Sequence, residues 1–136
     1  YGYAQPNYLE PEIKYKAHIQ DIGWTDFIDA GEVAGTTGES RRIEAIILNG
    51  TNGLDLKYRV HMEDIGWSEW VNSGEVAGTT GESRRIEAIE IESNMPLEVQ
   101  EHIEQVGWMP TSKGNHIRIG TEGKALKLEA FKINII

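Results

Sequence analysis

Hydrophobic and polar residues alternate along most of the chain with a period of two. Leu54, Leu56, Tyr58, Val60 and Met62 are interleaved with Asp55, Lys57, Arg59, His61 and Glu63. Successive side chains of a strand point to opposite faces, so this spacing predicts a half-buried strand. Ile13, Tyr15, Ala17 and Ile19 against Lys14, Lys16, His18 and Gln20 predict an equivalent one. A second kind of strand is expected over RRIEAIIL (residues 41–48), where isoleucine recurs. Between the two, Gly-Trp leads into a short stretch (TDFIDAG, SEWVNSG) that suits a third strand. The segment GEVAGTTGES is glycine-rich and predicts a loop or tight turn. Asn49-Gly50-Thr51-Asn52-Gly53 carries hairpin-type turn residues. RRIEAI, bounded by Gly-Glu-Ser and Asn-Gly, is too short to overcome helix nucleation.

The same pattern recurs. Residues 31–46 and 74–89 read GEVAGTTGESRRIEAI in both places, an offset of 43, and Asp21-Ile22-Gly23-Trp24 returns as Asp64-Ile65-Gly66-Trp67. A diverged third copy has His102, Gly107-Trp108, Gly120-Thr121 and Glu129-Ala130 at the matching places. Three units (13–53, 54–95 and 96–136) therefore make one all-β domain. Residues 1–12, with two prolines and three tyrosines, read as a linker or tether behind an upstream domain. A pseudo-three-fold body closes each unit's apolar face against the other two, and long alternating strands favour a β-prism-like arrangement, with a β-trefoil as the alternative.

Composition narrows the function. The balance of 13 basic against 22 acidic residues leaves a net charge of −9. That speaks against a nucleic acid as partner, since phosphate contacts require Lys and Arg, and against anionic membrane headgroups. Cysteine is absent, which removes disulfides, thiolate nucleophiles and Cys-based metal sites. Every notable residue occurs three times, whereas a catalytic centre is built once from unlike parts. Multiplicity favours a binding module without catalytic residues or a cofactor.

The string HIQDIGW, then a polar gap, then AGTTGESRRIEAI resembles the ChW repeat, the clostridial hydrophobic repeat with a Gly-Trp tryptophan. Copies one and two match almost letter for letter, and copy three puts Lys127 in place of the arginine. The resemblance implies a secreted, surface-associated module of Gram-positive bacteria. Such modules are attached to cell-wall hydrolases, phage-type lysins (endolysins) or polysaccharide-degrading enzymes. Their expected partner is a peptidoglycan or wall polysaccharide, with the catalytic domain upstream in the parent chain. A protein–protein interaction or adhesion module is the rival expectation.

Trp24, Trp67 and Trp108 suit either a sugar platform or a core position beside a glycine, and the core reading is preferred. Phe27 and Trp70, matched by Thr111 in copy three, suggest a partly exposed position. His18, His61 and His102 stand on the polar face, each followed two residues on by Gln20, Glu63 or Glu104. These pairs suit hydrogen bonding to a glycan, or a structural bond to a neighbouring loop. The alternation does not turn the histidines inward, which argues against a metal site. Glu44, Glu87 and Glu129 are expected to be part-buried, each partnered by Arg42, Arg85 or Lys127 two residues back or by a tryptophan indole. Thr36, Thr37, Thr79, Thr80 and Thr121 lie in the glycine-flanked loops, which are either ligand cradles or closing turns. Up to three equivalent pockets are expected, with the third weakened by Met109-Pro110 and Lys124-Ala125.

Overall fold

The structure, a computed structural model, describes residues 10–136. The tether expected at residues 1–12 falls for the most part outside them, and Glu12 already belongs to a strand. Unit one holds β1 (Glu12–Ile19), β2 (Gly23–Trp24), β3 (Ile28–Asp29), β4 (Ala34–Gly35) and β5 (Ile43–Thr51). Unit two holds β6 (Leu56–Met62), β7 (Gly66–Trp67), β8 (Val71–Asn72), β9 (Val76–Gly78) and the first half of β10 (Ile86–Ile103). Unit three holds the rest of β10, then β11 (Gly107–Trp108), β12 (Ser112–Gly120) and β13 (Leu128–Ile135). Among the described residues there is no helix.

Each unit is an antiparallel pair of long strands that brings the same residues face to face. His18 lies opposite Ala45, His61 opposite Ala88 and His102 opposite Ala130, and the register shifts just beyond each histidine. The predicted alternation holds, because in β1 and β6 the apolar positions are buried and the polar ones face outward. The last strands are buried on both faces where they begin, over Ile43–Ile46, Ile86–Ile89 and Leu128–Phe131. One side of each packs into the common core, and the other supports the site described below.

The units are joined by strand donation, which alternation does not reveal. β4 of unit one pairs with β13 of unit three, β9 of unit two with β5 of unit one, and the end of β12 in unit three with β10 of unit two. The donations run in a cycle, although the two sheets are open paths. The glycine-rich segment expected to be only a loop thus begins as a strand, Ala34–Gly35 or Val76–Gly78. The donation needs glycine at its closest point. A Cβ on Gly35, Gly78 or Gly120 would lie 2.2, 2.5 or 2.3 Å from the carbonyl oxygen of Glu129, Glu44 or Glu87, and all three have positive φ.

Two further expectations are corrected. Asn52 and Gly53 do adopt positive φ, but β5 and β6 lie in different sheets, so the Asn-Gly link is not a hairpin. The boundary expected at 95/96 falls inside β10, which runs unbroken from unit two into unit three. Pro96 is tolerated there because the ladder register is interrupted between Glu92 and Leu97, where no N–H is required.

Two buried tyrosines reinforce the cycle. The Tyr15 hydroxyl accepts the N–H of Ile133 (3.1 Å) and donates to the Glu32 carbonyl. The Tyr58 hydroxyl accepts the N–H of Leu48 (3.0 Å) and donates to the Glu75 carbonyl. Unit three has Val99 at this place, opposite Ile133. It also places Glu101 where the others have Ala17 and Val60, so a carboxyl group stands in the core, accepting the N–H of Gly120 (2.8 Å) through Oε2.

Candidate functional site

Each unit presents one outward face built from its histidine, its buried glutamate and its Gly-Trp tryptophan. The two-residue strand of Gly-Trp folds back on the first long strand, so Trp24 lies opposite His18, Trp67 opposite His61 and Trp108 opposite His102. The rings meet edge to face, with centroids 5.4, 5.3 and 5.3 Å apart. Behind each ring lies the carboxylate. His18 Nδ1 is 3.0 Å from Glu44 and His61 Nδ1 is 3.1 Å from Glu87. His102 Nδ1 is 3.1 Å from Glu129, but off hydrogen-bond alignment.

These carboxylates are buried, as expected, and two of them take the expected arginine. Arg42 Nε donates to Glu44 at 2.8 Å and Arg85 Nε to Glu87 at 2.9 Å. In unit three Lys127 turns instead to Glu104 (3.2 Å), leaving Glu129 to His102. A buried carboxylate requires compensation, and His–Glu–Arg provides it locally. Gln20, Glu63 and Glu104 are also engaged, since their side chains accept the backbone N–H of Arg42 (3.3 Å), Arg85 (3.5 Å) and Lys127 (3.3 Å). Arg85 makes a further bond of 2.7 Å to Glu63. The His, Gln/Glu and Arg/Lys side chains singled out in the sequence therefore come together, and they hold one another and the loop.

Strand donation brings a neighbour's loop to each face. The N–H of Thr36 donates to the carbonyl of Glu129 (3.1 Å), that of Thr79 to Glu44 (3.1 Å) and that of Thr121 to Glu87 (2.9 Å). Each face is thus shared between two units: unit one with the loop of unit two, unit two with that of unit three, and unit three with that of unit one. The hydroxyls of Thr36, Thr79 and Thr121 are buried without a hydrogen-bond partner. Thr37 and Thr80 are exposed.

The tryptophans are not core residues. Trp24 is 37% exposed and Trp108 40%, while Trp67 is half-buried. A two-residue strand at the edge of a sheet has nothing beyond it to cover the ring. Cations cover the rings instead: the Lys16 ammonium lies 5.2 Å from the Trp24 centroid, and that of Lys132 5.3 Å from Trp108. Trp67 has guanidinium groups of Arg59 at 4.7 Å and Arg118 at 5.1 Å, and its indole N–H donates to Glu122 at 2.8 Å. No tryptophan indole bonds to Glu44, Glu87 or Glu129.

The face of unit two carries a network that sequence reasoning missed. Glu90, only 3% exposed, meets Arg59 at 2.8 Å, His116 at 2.5 Å and Arg118 at 3.4 Å. Burial works to raise its pKa, but the bonds from His116 and Arg59 and the charge of Arg118 outweigh it, and the carboxyl is held below its ordinary value. Ile47 and Lys132 stand at the matching register in units one and three. That substitution of isoleucine by glutamate was the available signal. Two clefts lie elsewhere, one of about 250 Å³ lined by Asp55, Lys57 and Asn72 and one of about 450 Å³ lined by Lys14, Asp29 and Asn134. Both are at the far end of the strands from the histidines.

The repeated face coincides with a known family. The model of the family described as clostridial hydrophobic W matches residues 18–52, 61–93 and 102–136. Each match begins at the histidine of one unit. No curated protein and no solved structure matches the chain. The three matches take in more than half of its length, and the chain belongs to the clostridial hydrophobic W (ChW) family.

Proposed function

We propose that this chain is a non-catalytic module that binds the bacterial cell wall, through peptidoglycan or wall polysaccharide, and holds an attached hydrolase at the Gram-positive surface. The observation that carries the reading is the threefold repetition of one outward face, tryptophan against histidine against buried glutamate, each completed by a neighbour's loop. A repetitive polymer suits repeated sites, because simultaneous engagement multiplies weak affinity by about 10²–10⁴. A glycan also suits an exposed indole, whose flat apolar face stacks on a pyranose. ChW repeats are in general associated with surface and cell-wall binding, which points the same way. The cycle of donated strands supports a pseudo-three-fold, prism-like body that would aim the faces in three directions.

Co-sedimentation of the labelled chain with intact Gram-positive walls, and with walls stripped of teichoic acid and secondary polymers, tests the reading. Binding to both assigns the ligand to peptidoglycan, and binding to intact walls alone assigns it to the accessory polymer. Failure to sediment with walls of several clostridia overturns it. An adhesion role toward a protein is the second reading, favoured by Ile22, Ile65 and Val106, which occupy the same turn in each unit and are 51, 51 and 56% exposed.

A further inference from the structure

The three faces are equivalent in backbone and unlike in surface chemistry, and the difference follows from what the neighbouring unit contributes. At Trp67 the donated segment of unit three brings Arg118 and Glu122. Counted from the glycine of the donated strand, the positions of Arg118 are Val33 and Val76 in the other units, and those of Glu122 are Thr37 and Thr80. Every charge at Trp67 is met inside the protein. Arg59 and Arg118 share Glu90, Arg118 also lies 3.4 Å from Glu122, and Glu122 takes the indole N–H. A ligand arriving there would have to displace bonds already made.

Trp24 and Trp108 are furnished otherwise. Beside Trp24 stand Lys16 and Phe27, and the donated strand carries Val76, opposite Ile47, where that of unit three carries Arg118. Beside Trp108 stand Lys132 and the loop of unit one. Phe27 is 45% exposed, so apolar surface faces water next to the indole. Among the described residues neither Lys16 nor Lys132 has a carboxylate at ion-pair distance, in a chain of net charge −9. Nor does either indole N–H find a protein acceptor there. An exposed ring, an unspent donor and an uncompensated ammonium together define an amphipathic, anion-accepting site.

We propose that the chain has two ligand sites, at Trp24/Lys16 and Trp108/Lys132, each taking a sugar unit that lays an apolar ring face on the indole and presents a carboxylate or phosphate to the lysine, while the Trp67 face is closed by its own charge network. The assignment rests on the wall-binding reading and sharpens it. It also reverses the expectation that the diverged third unit loses its own face. Divergence in unit three closes the face of unit two, because that is where its segment is donated.

The test follows the indole N–H signals of the four tryptophans by nuclear magnetic resonance in the whole chain, assigned by single Trp→Phe replacements. Three probes are titrated: N-acetylmuramic acid, the neutral N-acetylglucosamine and glycerol 3-phosphate. N-acetylmuramic acid is expected to shift the Trp24 and Trp108 signals and leave Trp67 in place, with the neutral sugar weaker by about tenfold or more, the worth of one charge-assisted bond. Lys16→Met should abolish the response of Trp24 alone and Lys132→Met that of Trp108 alone. A lysine-dependent response to glycerol 3-phosphate at the same two indoles would assign the anion to phosphate instead of carboxylate. Equal movement of Trp67, or a response that survives both lysine replacements, overturns the proposal. Silence toward all three probes in a chain that still sediments with walls overturns these sites and leaves wall binding standing; silence without sedimentation overturns both.

Discussion

The hydroxyl of Tyr15, in the first long strand, accepts the backbone N–H of Ile133, in the last, across 118 positions of sequence. The bond closes the molecule between unit one and unit three. Its counterpart, Tyr58 with Leu48, closes unit two on unit one.

Removing either hydroxyl leaves a buried N–H without a partner. Tyr15→Phe and Tyr58→Phe are each expected to lower unfolding stability by about 1–3 kcal/mol. Urea unfolding followed by tryptophan fluorescence measures this, and a change under about 0.5 kcal/mol would mean that water replaces the phenol. Burial raises the pKa of Tyr58 to about 12 from its ordinary 10.0. A group whose folded pKa is raised contributes stability in full below its unfolded value and loses it as pH rises through the folded one. Alkaline destabilisation between about pH 10 and 12 should therefore be smaller in Tyr58→Phe than in the unsubstituted chain.

Gly78 and Gly81 both have positive φ, yet only Gly78 lies against backbone. A Cβ there would be 2.5 Å from the Glu44 carbonyl oxygen, whereas nothing lies within 4 Å of one on Gly81. Gly81→Ala should cost only the conformational penalty, about 1–2 kcal/mol. Gly78→Ala should cost distinctly more, because the donated strand must retreat. Thermal unfolding of the two variants side by side separates the terms, and equal losses would show that the donation tolerates a side chain.

Glu101 occupies the core position that is alanine in unit one and valine in unit two. Burial raises its pKa, and the N–H of Gly120 offsets this only in part. The protonated form is thus favoured by folding, and stability is lost as pH rises through the raised value. Glu101→Gln keeps an acceptor for Gly120 and removes the charge. Its melting temperature should exceed that of the unsubstituted chain at pH 7, with the gap narrowing as the pH falls through the raised value and closed by about 4.5, the ordinary glutamate value. A gap independent of pH would show that the carboxylate is not the source.

Glu90 behaves in the opposite sense. Its pKa is lowered, so its contribution is present above the ordinary carboxylate value and disappears as pH falls through the folded one. Glu90→Ala should cost about 3 kcal/mol, the lower end for breaking a buried pair, since Arg118 and His116 keep half their surface in water and are screened. Denaturant unfolding at pH 7 and pH 3 checks both the size and the sign. A loss as large at pH 3 as at pH 7 would exclude the ion pairs as its cause.

Much of this protein is legible in its sequence. The repeat defines three units, and the period of two assigns the buried faces of β1 and β6 residue by residue. It also places His18, His61 and His102 on the outer face, and of the two partners expected for the buried Glu44 and Glu87, arginine or indole, they take the arginine. These are local matters, settled by side-chain direction along one strand and by the cost of burying a charge.

Which strand edge meets which was decided only in three dimensions. Alternation says which face of Val76-Ala77-Gly78 is buried, and nothing about its pairing with β5 of the preceding unit. For that reason the donated strands read as loops, the tryptophans read as core, and Arg118 and Glu122 were not seen to act on Trp67. A strand carries its side-chain pattern in its own residues, but its backbone hydrogen-bonding edge is the same for every sequence. The choice of partner is made by the packing of the whole core, and with it the chemistry of each face.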